Sequence, residues 1–306
     1  MKKTHKSQSR QDAYQLVTDI IIHKLEQGVI PWKKSWSSQG PAANYLTKKA
    51  YRGINALLLN SPGAVYPYFL TFRQAQKLGG MIRKGAQSLP VVYWQWYYTH
   101  KETGRKLTEE EAKALPSSEV ERSAFLRYYR VFNIQDTEGI DLTFPATHTF
   151  SLENDKLMQG FQPLHSMPHS VAVKTQSNSP YYHPRHDYIN MPAMTAFPSM
   201  EAYFQVLYHE LIHATGHSKR LNRSGVSEPQ PFGSWTYSQE ELIAEMGASF
   251  LSNLMGMQNE EELNDAASYI QGWLKVLKND KRFVIEAAQK AQRATDYIMG
   301  YQEGAP

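Results

Sequence analysis

Two histidines bracket a glutamate in the run His209-Glu210-Leu211-Ile212-His213. On an α-helix, positions i and i+4 share one face, so both imidazoles can reach a single cation and the glutamate between them can reach a water beside it. The chemistry this spacing serves is zinc-assisted hydrolysis, with Glu210 as the general base. Pro198-Ser199 offers a helix start, and Phe204, Leu207, Tyr208, Leu211 and Ile212 form an apolar stripe that would seat the helix on a core. The 306 residues include no cysteine. A disulfide framework, a thiolate metal site and a cysteine nucleophile are therefore excluded, and any metal must be held by imidazole and carboxylate.

A catalytic zinc site usually has three protein ligands and an open position. His217 is one candidate for the third, but on a continuing helix it would lie about 12 Å along the axis from His209, so the chain would have to turn back at Gly216. The run from Ser238 to Glu245 is better placed, with Glu241 and Glu245 one turn apart on one face of a second helix. Glu241 could bind the metal while Glu245 braces a histidine. Ser238 and Glu241 also have the spacing of a capping box, which would leave Glu245 as the ligand. Both glutamates stand, Glu241 preferred. Tyr188, Tyr237 and His186 are candidate stabilisers of an oxyanion, and the extended stretch 187–191 could offer a strand edge to a peptide.

The elements that must position these groups are legible in outline. Apolar spacing predicts helices over 11–27, 53–60, 71–79, 199–215 and 239–254, with two more closing the chain. Aromatic and β-branched runs predict strands over 89–98, 126–134 and 187–191, with a solvated insertion over 99–123 and a loop over 222–236. No window is apolar enough for a membrane span, and the basic start has no apolar run behind it, so a soluble, cytoplasmic protein is expected.

The net charge of +4 conceals an asymmetry. Residues 1–139 carry 21 Lys and Arg against 11 Asp and Glu, and residues 140–306 carry 12 against 18. A domain boundary is expected near 140–150, with a polyanionic partner for the first half. There, cations alternate with rings: Trp32-Lys33-Lys34-Ser35-Trp36, Lys49, Tyr51-Arg52, Arg73 and Arg83-Lys84. Rings stack on unpaired bases while Lys and Arg track phosphates, which is the composition of a single-stranded DNA site. Trp32 and Trp36 are the expected platforms; Trp94, Trp96, Tyr97 and Tyr98 are expected in a strand core.

These runs carry a resemblance. IPWKKSW, NYLTKKAYRGINALLL, FLTFRQAQKLGGMIRKGAQ and YYRVFNI in the first half, with YYHPRHDYINMP, YHELIHATGHSKRLNR and YSQEELIAEMGASFL in the second, resemble ArdC-type antirestriction proteins, relatives of the amino-terminal part of TraC-type plasmid primases. The resemblance implies an α+β chain: a mixed α/β single-stranded DNA-binding domain over 1–145 and a mainly α-helical zincin-like metallopeptidase domain over 146–306. It implies zinc at His209, His213 and Glu241 or Glu245, catalysis by Glu210, and protection of incoming plasmid DNA from host restriction. Two other readings stand beside it: a DNA-dependent protease of the Spartan type acting on DNA-bound or crosslinked proteins, and a DNA-binding module with a purely structural zinc.

Overall fold

Leu16, Val17, Ile21 and Leu25 are buried along one stripe of helix α1 (Ala13–Glu26), which starts where the Asp12 carboxylate accepts the Tyr14 amide proton. This computed structural model describes residues 12–32, 40–60, 66–143, 153–228, 231, 234–257 and 266–301. The first half continues through β1 (Ala43–Asn44), α2 (Ile54–Leu59), β2 (Tyr68–Leu70), α3 (Phe72–Lys77), β3 (Met81–Ile82), β4 (Leu89–His100), β5 (Lys106–Leu107), α4 (Glu109–Ala114), β6 (Val120–Asn133) and β7 (Thr137–Glu138). The second half holds α5 (Glu153–Ser166), β8 (Ala172–Lys174), β9 (Tyr181–His183), β10 (Tyr188–Asn190), α6 (Met200–Thr215), α7 (Ser224–Ser227), α8 (Trp235–Leu254), α9 (Ala266–Asn279) and α10 (Phe283–Ile298). Mixed sheets and helices in the first half and mostly helices in the second give the expected α+β class.

The main sheet has the order β1-β2-β6-β4-β5 and is antiparallel apart from the β1–β2 edge. β4 and β6 pair continuously from Leu89↔Val131 to His100↔Val120. β6 thus begins well before the expected 126, and the insertion narrows to β5, α4 and their turns. Only the inner end of this ribbon is covered: Val91, Val92 and Val131 are buried. Further out Trp94 and Trp96 are 39% and 46% exposed, Tyr93 and Phe125 44% and 54%. The expectation that Trp94 and Trp96 are core fails because the ribbon outruns the helices that could cover it.

The core crosses the expected boundary near 145. One cluster contains Val17 and Ile21 of α1, Leu57 of α2 and Val92 of β4 together with Leu207, Leu211, Leu251, Val284 and Ala288 of α6, α8 and α10. Trp32 belongs to it, 1% exposed, its ring edge-on to Trp273 at 5.0 Å between centroids. Trp32 therefore cannot offer a face to a base, a correction whose cause is a ring partner near the far end of the chain.

Helix α6 begins where the Ser199 hydroxyl accepts the Ala202 amide proton. Phe204, Leu207, Tyr208, Leu211 and Ile212 are all fully buried, each contributing about 1.5–3 kcal/mol. α8 crosses α6 closely at Gly247, where a Cβ would stand 2.5 Å from Ile212 Cδ1. The cap of α8 is Ser234, whose hydroxyl accepts the Tyr237 amide proton. Ser238 is therefore inside the helix, and the capping-box role considered for Glu241 does not arise. In the small sheet β10 lies between β8 and β9, so the stretch 187–191 has no free edge; β9 is the strand beside the cleft.

Candidate metal centre

His209 and His213 project from α6 toward α8, their Nε2 atoms 3.1 Å apart. Glu241 of α8 faces both, 3.7 Å from His209 Nε2 through Oε2 and 3.7 Å from His213 Nε2 through Oε1. Among the described residues His209, His213 and Glu241 form the group able to hold a metal, their ligand atoms all within 4.8 Å of one another. Two imidazoles and a carboxylate are a donor set that zinc and related divalent ions accept.

Each imidazole has a carboxylate behind it. Glu245 Oε1 lies 3.9 Å from His209 Nδ1, and Glu240 Oε1 lies 3.3 Å from His213 Nδ1. Glu240 is within hydrogen-bond reach of His213 Nδ1, and a carboxylate so placed holds the proton there and would turn the Nε2 lone pair toward a bound cation; Glu245 stands beside His209 at ion-pair distance. Glu240 is itself gripped by Arg223, which donates from Nε to Oε2 at 2.9 Å and from Nη2 to Oε1 at 2.6 Å, and also bonds the Ile212 carbonyl and Thr215 Oγ1, each at 2.7 Å. Burial would push Glu240 up, but the Arg223 guanidinium overrides it and holds the carboxyl down at about 2. Burial likewise opposes charge on His213, and the Glu240 carboxylate outweighs it, so the ring is pushed up to about 9. Sequence reasoning missed Glu240 and Arg223. The one signal available was a third acid adjoining Glu241.

Glu210, between the two histidines in sequence, is buried and lines the same cleft, and burial pushes its carboxyl above the ordinary range, against the nearby His213 and the Tyr182 amide. A carboxylate raised in this way suits a proton acceptor working near neutral pH. The cleft in front measures about 840 Å³ and is walled by β9 residues Tyr181 and Tyr182, by Arg185, and by Tyr237 of α8. Tyr237 is thus the oxyanion candidate on the cleft wall; the Tyr188 hydroxyl bonds that of Tyr181, and neither Tyr188 nor His186 lines the cleft. His217 also lines it but turns to Asp187, 3.9 Å from Oδ2, and lies outside the three-residue group.

The basic residues divide. Lys33, Lys34 and Trp36 lie outside the described residues. Lys49, Arg73, Arg83 and Lys84 are exposed, with Arg83 3.4 Å from Glu138. Tyr51 packs edge-on to Phe69, and Arg52 is salt-bridged to Asp296 of α10. Rings that the sequence reading either did not name or expected in a strand core lie on the ribbon: Tyr93 pairs with Tyr129 at 5.9 Å, Tyr97 with Phe125 at 5.5 Å, and the Arg122 guanidinium lies 3.6 Å over Trp96.

Known proteins share this architecture. Residues 11–132 match the N-terminal domain of anti-restriction factor ArdC, and residues 166–290 match a zincin-like metallopeptidase family. A DNA primase TraC of Escherichia coli is 27% identical over 297 residues, 95% of this chain, and this chain spans only 20% of that primase's length. An uncharacterized protein y4eC of Sinorhizobium fredii is 30% identical over 306 residues, covering 97% of this chain and 95% of its own. The metal-free crystal structure of the antirestriction protein ArdC from plasmid R388 superposes with a TM-score of 0.73 at 31% identity, over 95% of this chain and 100% of that one. Its Mn(II)-bound form gives 0.71 at 33% identity, over 94% and 97%. With its two halves matching in order and the likeness running the length of the R388 protein, the chain belongs to the ArdC family of antirestriction proteins.

Proposed function

We propose that this protein binds single-stranded DNA, carries a zinc metallopeptidase site, and protects incoming plasmid or mobile-element DNA from restriction in the cytoplasm of the recipient. The observation that carries the reading is the convergence of His209, His213 and Glu241 with a buried Glu210 at the foot of an open cleft. Bound there, a divalent ion would polarise a peptide carbonyl and ease deprotonation of water. Glu210 takes the proton from the attacking water and returns it to the leaving amine. Tyr237 donates to the carbonyl oxygen as charge gathers on it. Glu245 and Glu240 hold the two imidazoles in register.

The donor set favours zinc as the resident ion, with Glu241 as third ligand and Glu245 as brace. Metal analysis of the wild type beside Glu241→Ala and Glu245→Ala tests this. Glu241→Ala is expected to lose the metal, while Glu245→Ala keeps it with lower affinity; the reverse order would exchange the two roles.

Exposed rings beside Arg122, Arg127 and Arg130 on the ribbon support single-strand binding through base stacking, with Lys49, Arg73, Arg83 and Lys84 as phosphate contacts. Binding to an oligothymidylate should weaken steeply with salt, and binding that ignores salt would refute the reading. Glu210→Gln should abolish peptide cleavage while DNA binding and metal content stay unchanged. Protection from restriction that survives Glu210→Gln would remove proteolysis from the biological role and leave the DNA-binding half to carry it.

A further inference from the structure

A groove of about 530 Å³ runs along the seam between the two sequence halves. One wall is the basic half, with Arg52 at the entry to α2 and Tyr93 and Trp94 of β4; the other is α10, with Gln289, Arg293 and Asp296. The walls are fixed to each other. Gly53, at φ 55°, brings its amide within 2.9 Å of Gln292 Oε1, Gln292 Nε2 donates to Asp296 at 3.0 Å, and Arg52 is salt-bridged to Asp296. Gln289 and Arg293 are both exposed and stand one turn apart, so they share a face of α10.

The walls bring different groups. Successive strand residues face opposite ways, so of the two β4 rings it is Trp94, 39% exposed and on the side of Val92, that faces the groove; Arg52 on the same wall is held by Asp296, whereas α10 brings a side-chain amide and the Arg293 guanidinium. The ligand that uses a ring face, an amide and a guanidinium together is a flat heterocycle with hydrogen-bonding edges joined to an anion: one nucleotide unit. The volume is within the roughly 300–1,000 Å³ of ligand pockets. Stacked bases in a duplex hide their faces, so a nucleic acid that supplies this unit must be single-stranded. We propose that single-stranded nucleic acid seats a nucleotide in this groove, its base against β4 and its phosphate at Arg293, so that a helix of the metallopeptidase half completes the DNA site. This rests on the single-strand binding proposed above and assigns part of it to the acidic half, where charge balance alone would not look.

The test is fluorescence anisotropy with a labelled oligothymidylate on the full chain, comparing wild type, Arg293→Ala, Gln289→Glu and Trp94→Ala over a salt series. Arg293→Ala should weaken binding roughly tenfold and reduce the salt slope by about 0.7, the value of one phosphate on a single strand. Gln289→Glu, which puts a like charge beside the phosphate, should weaken it at least as much. Trp94→Ala should lose about 5- to 150-fold, the range of one base stack. Thermal melts and metal content are recorded for each variant, and a loss of binding counts for the groove only where both match the wild type. If the wild type binds and both α10 variants bind equally well with the same slope, the composite groove is wrong while single-strand binding stands. If the wild type itself does not bind, the single-strand reading falls and this inference with it.

Discussion

Replacing Arg223 with methionine would strip a buried carboxylate of its counter-ion. The Arg223 and Glu240 side chains are 9% and 6% exposed. Arg223→Met removes the two charge-assisted bonds to Glu240 and the bonds to Ile212 and Thr215, leaving Glu240 with His213 alone. Removing one member of such a pair costs about 3–5 kcal/mol, most of it the uncompensated charge left behind. Glu240→Leu makes the converse error and strands the guanidinium, at a similar cost of about 3–5 kcal/mol. In Arg223→Met/Glu240→Leu neither charge is left buried, so the double variant should lose much less than the sum, with a coupling energy of at least ~2 kcal/mol against the ~0.5 kcal/mol scatter of independent sites. Urea unfolding of chelator-treated protein measures this without a contribution from metal binding. The double variant should nevertheless bind metal about 10- to 100-fold more weakly, because His213 has lost the group that orients it; competition with a chromophoric chelator reads that separately. Additive losses together with wild-type metal affinity would refute both the pair and its role behind His213.

Three further outcomes follow from packing and charge. Gly247→Ala should force α6 and α8 apart at Ile212 and cost about 1–3 kcal/mol, read as a lower urea midpoint; an unchanged midpoint would mean the helices do not meet there. Trp32→Ala should cost about 3–5 kcal/mol by emptying its place against Trp273, and a stable variant impaired only in DNA binding would restore the platform role expected from sequence. Acid stability should depend on Asp187: burial pushes its carboxyl up, but Arg220 and the Tyr182 hydroxyl more than cancel that and leave it below its ordinary 3.8. Because the folded value is the lower one, this contribution is complete above that pH and lost as the pH falls through the folded value. Asp187→Asn should therefore flatten the decline in urea midpoint below about pH 4, and an unaltered acid slope would count against it.

How much of this was legible depended on how local each signal is. His209 and His213 declared themselves because a four-residue interval reports a helix face without reference to the rest of the fold. Glu241 and Glu245 were readable by the same rule, and the capping-box role considered for Glu241 fell away because the cap is Ser234, four positions earlier than the sequence suggested. Arg223 and Glu240 were illegible because their relation joins a loop to a helix across the α6–α8 crossing, a fact of packing that no periodicity encodes. The tryptophans inverted for the same reason. A ring in a Pro-led loop looks exposed until Trp273 arrives from α9, and rings in a β-run look buried until the ribbon proves longer than the surface available to cover it.

Charge divides the chain near residue 140, but burial does not, and the difference bears on how the two proposed activities would be related. Helix α10 packs on α8, which carries Glu240, Glu241 and Glu245, and on α2, which follows Arg52. Its Lys290 donates to Gln239 Oε1 at 2.6 Å, next to Glu240, while two residues on Gln292 accepts the Gly53 amide proton. The same two turns of helix therefore touch the wall of the proposed nucleotide groove and the residue preceding the brace of His213. Because the core beneath them is continuous, a shift of α10 cannot be absorbed at a flexible linker; it must be passed to α8 or resisted by both walls together. A strand held at the groove would thus bias the position of α8 only to the extent that it prefers one placement of α10.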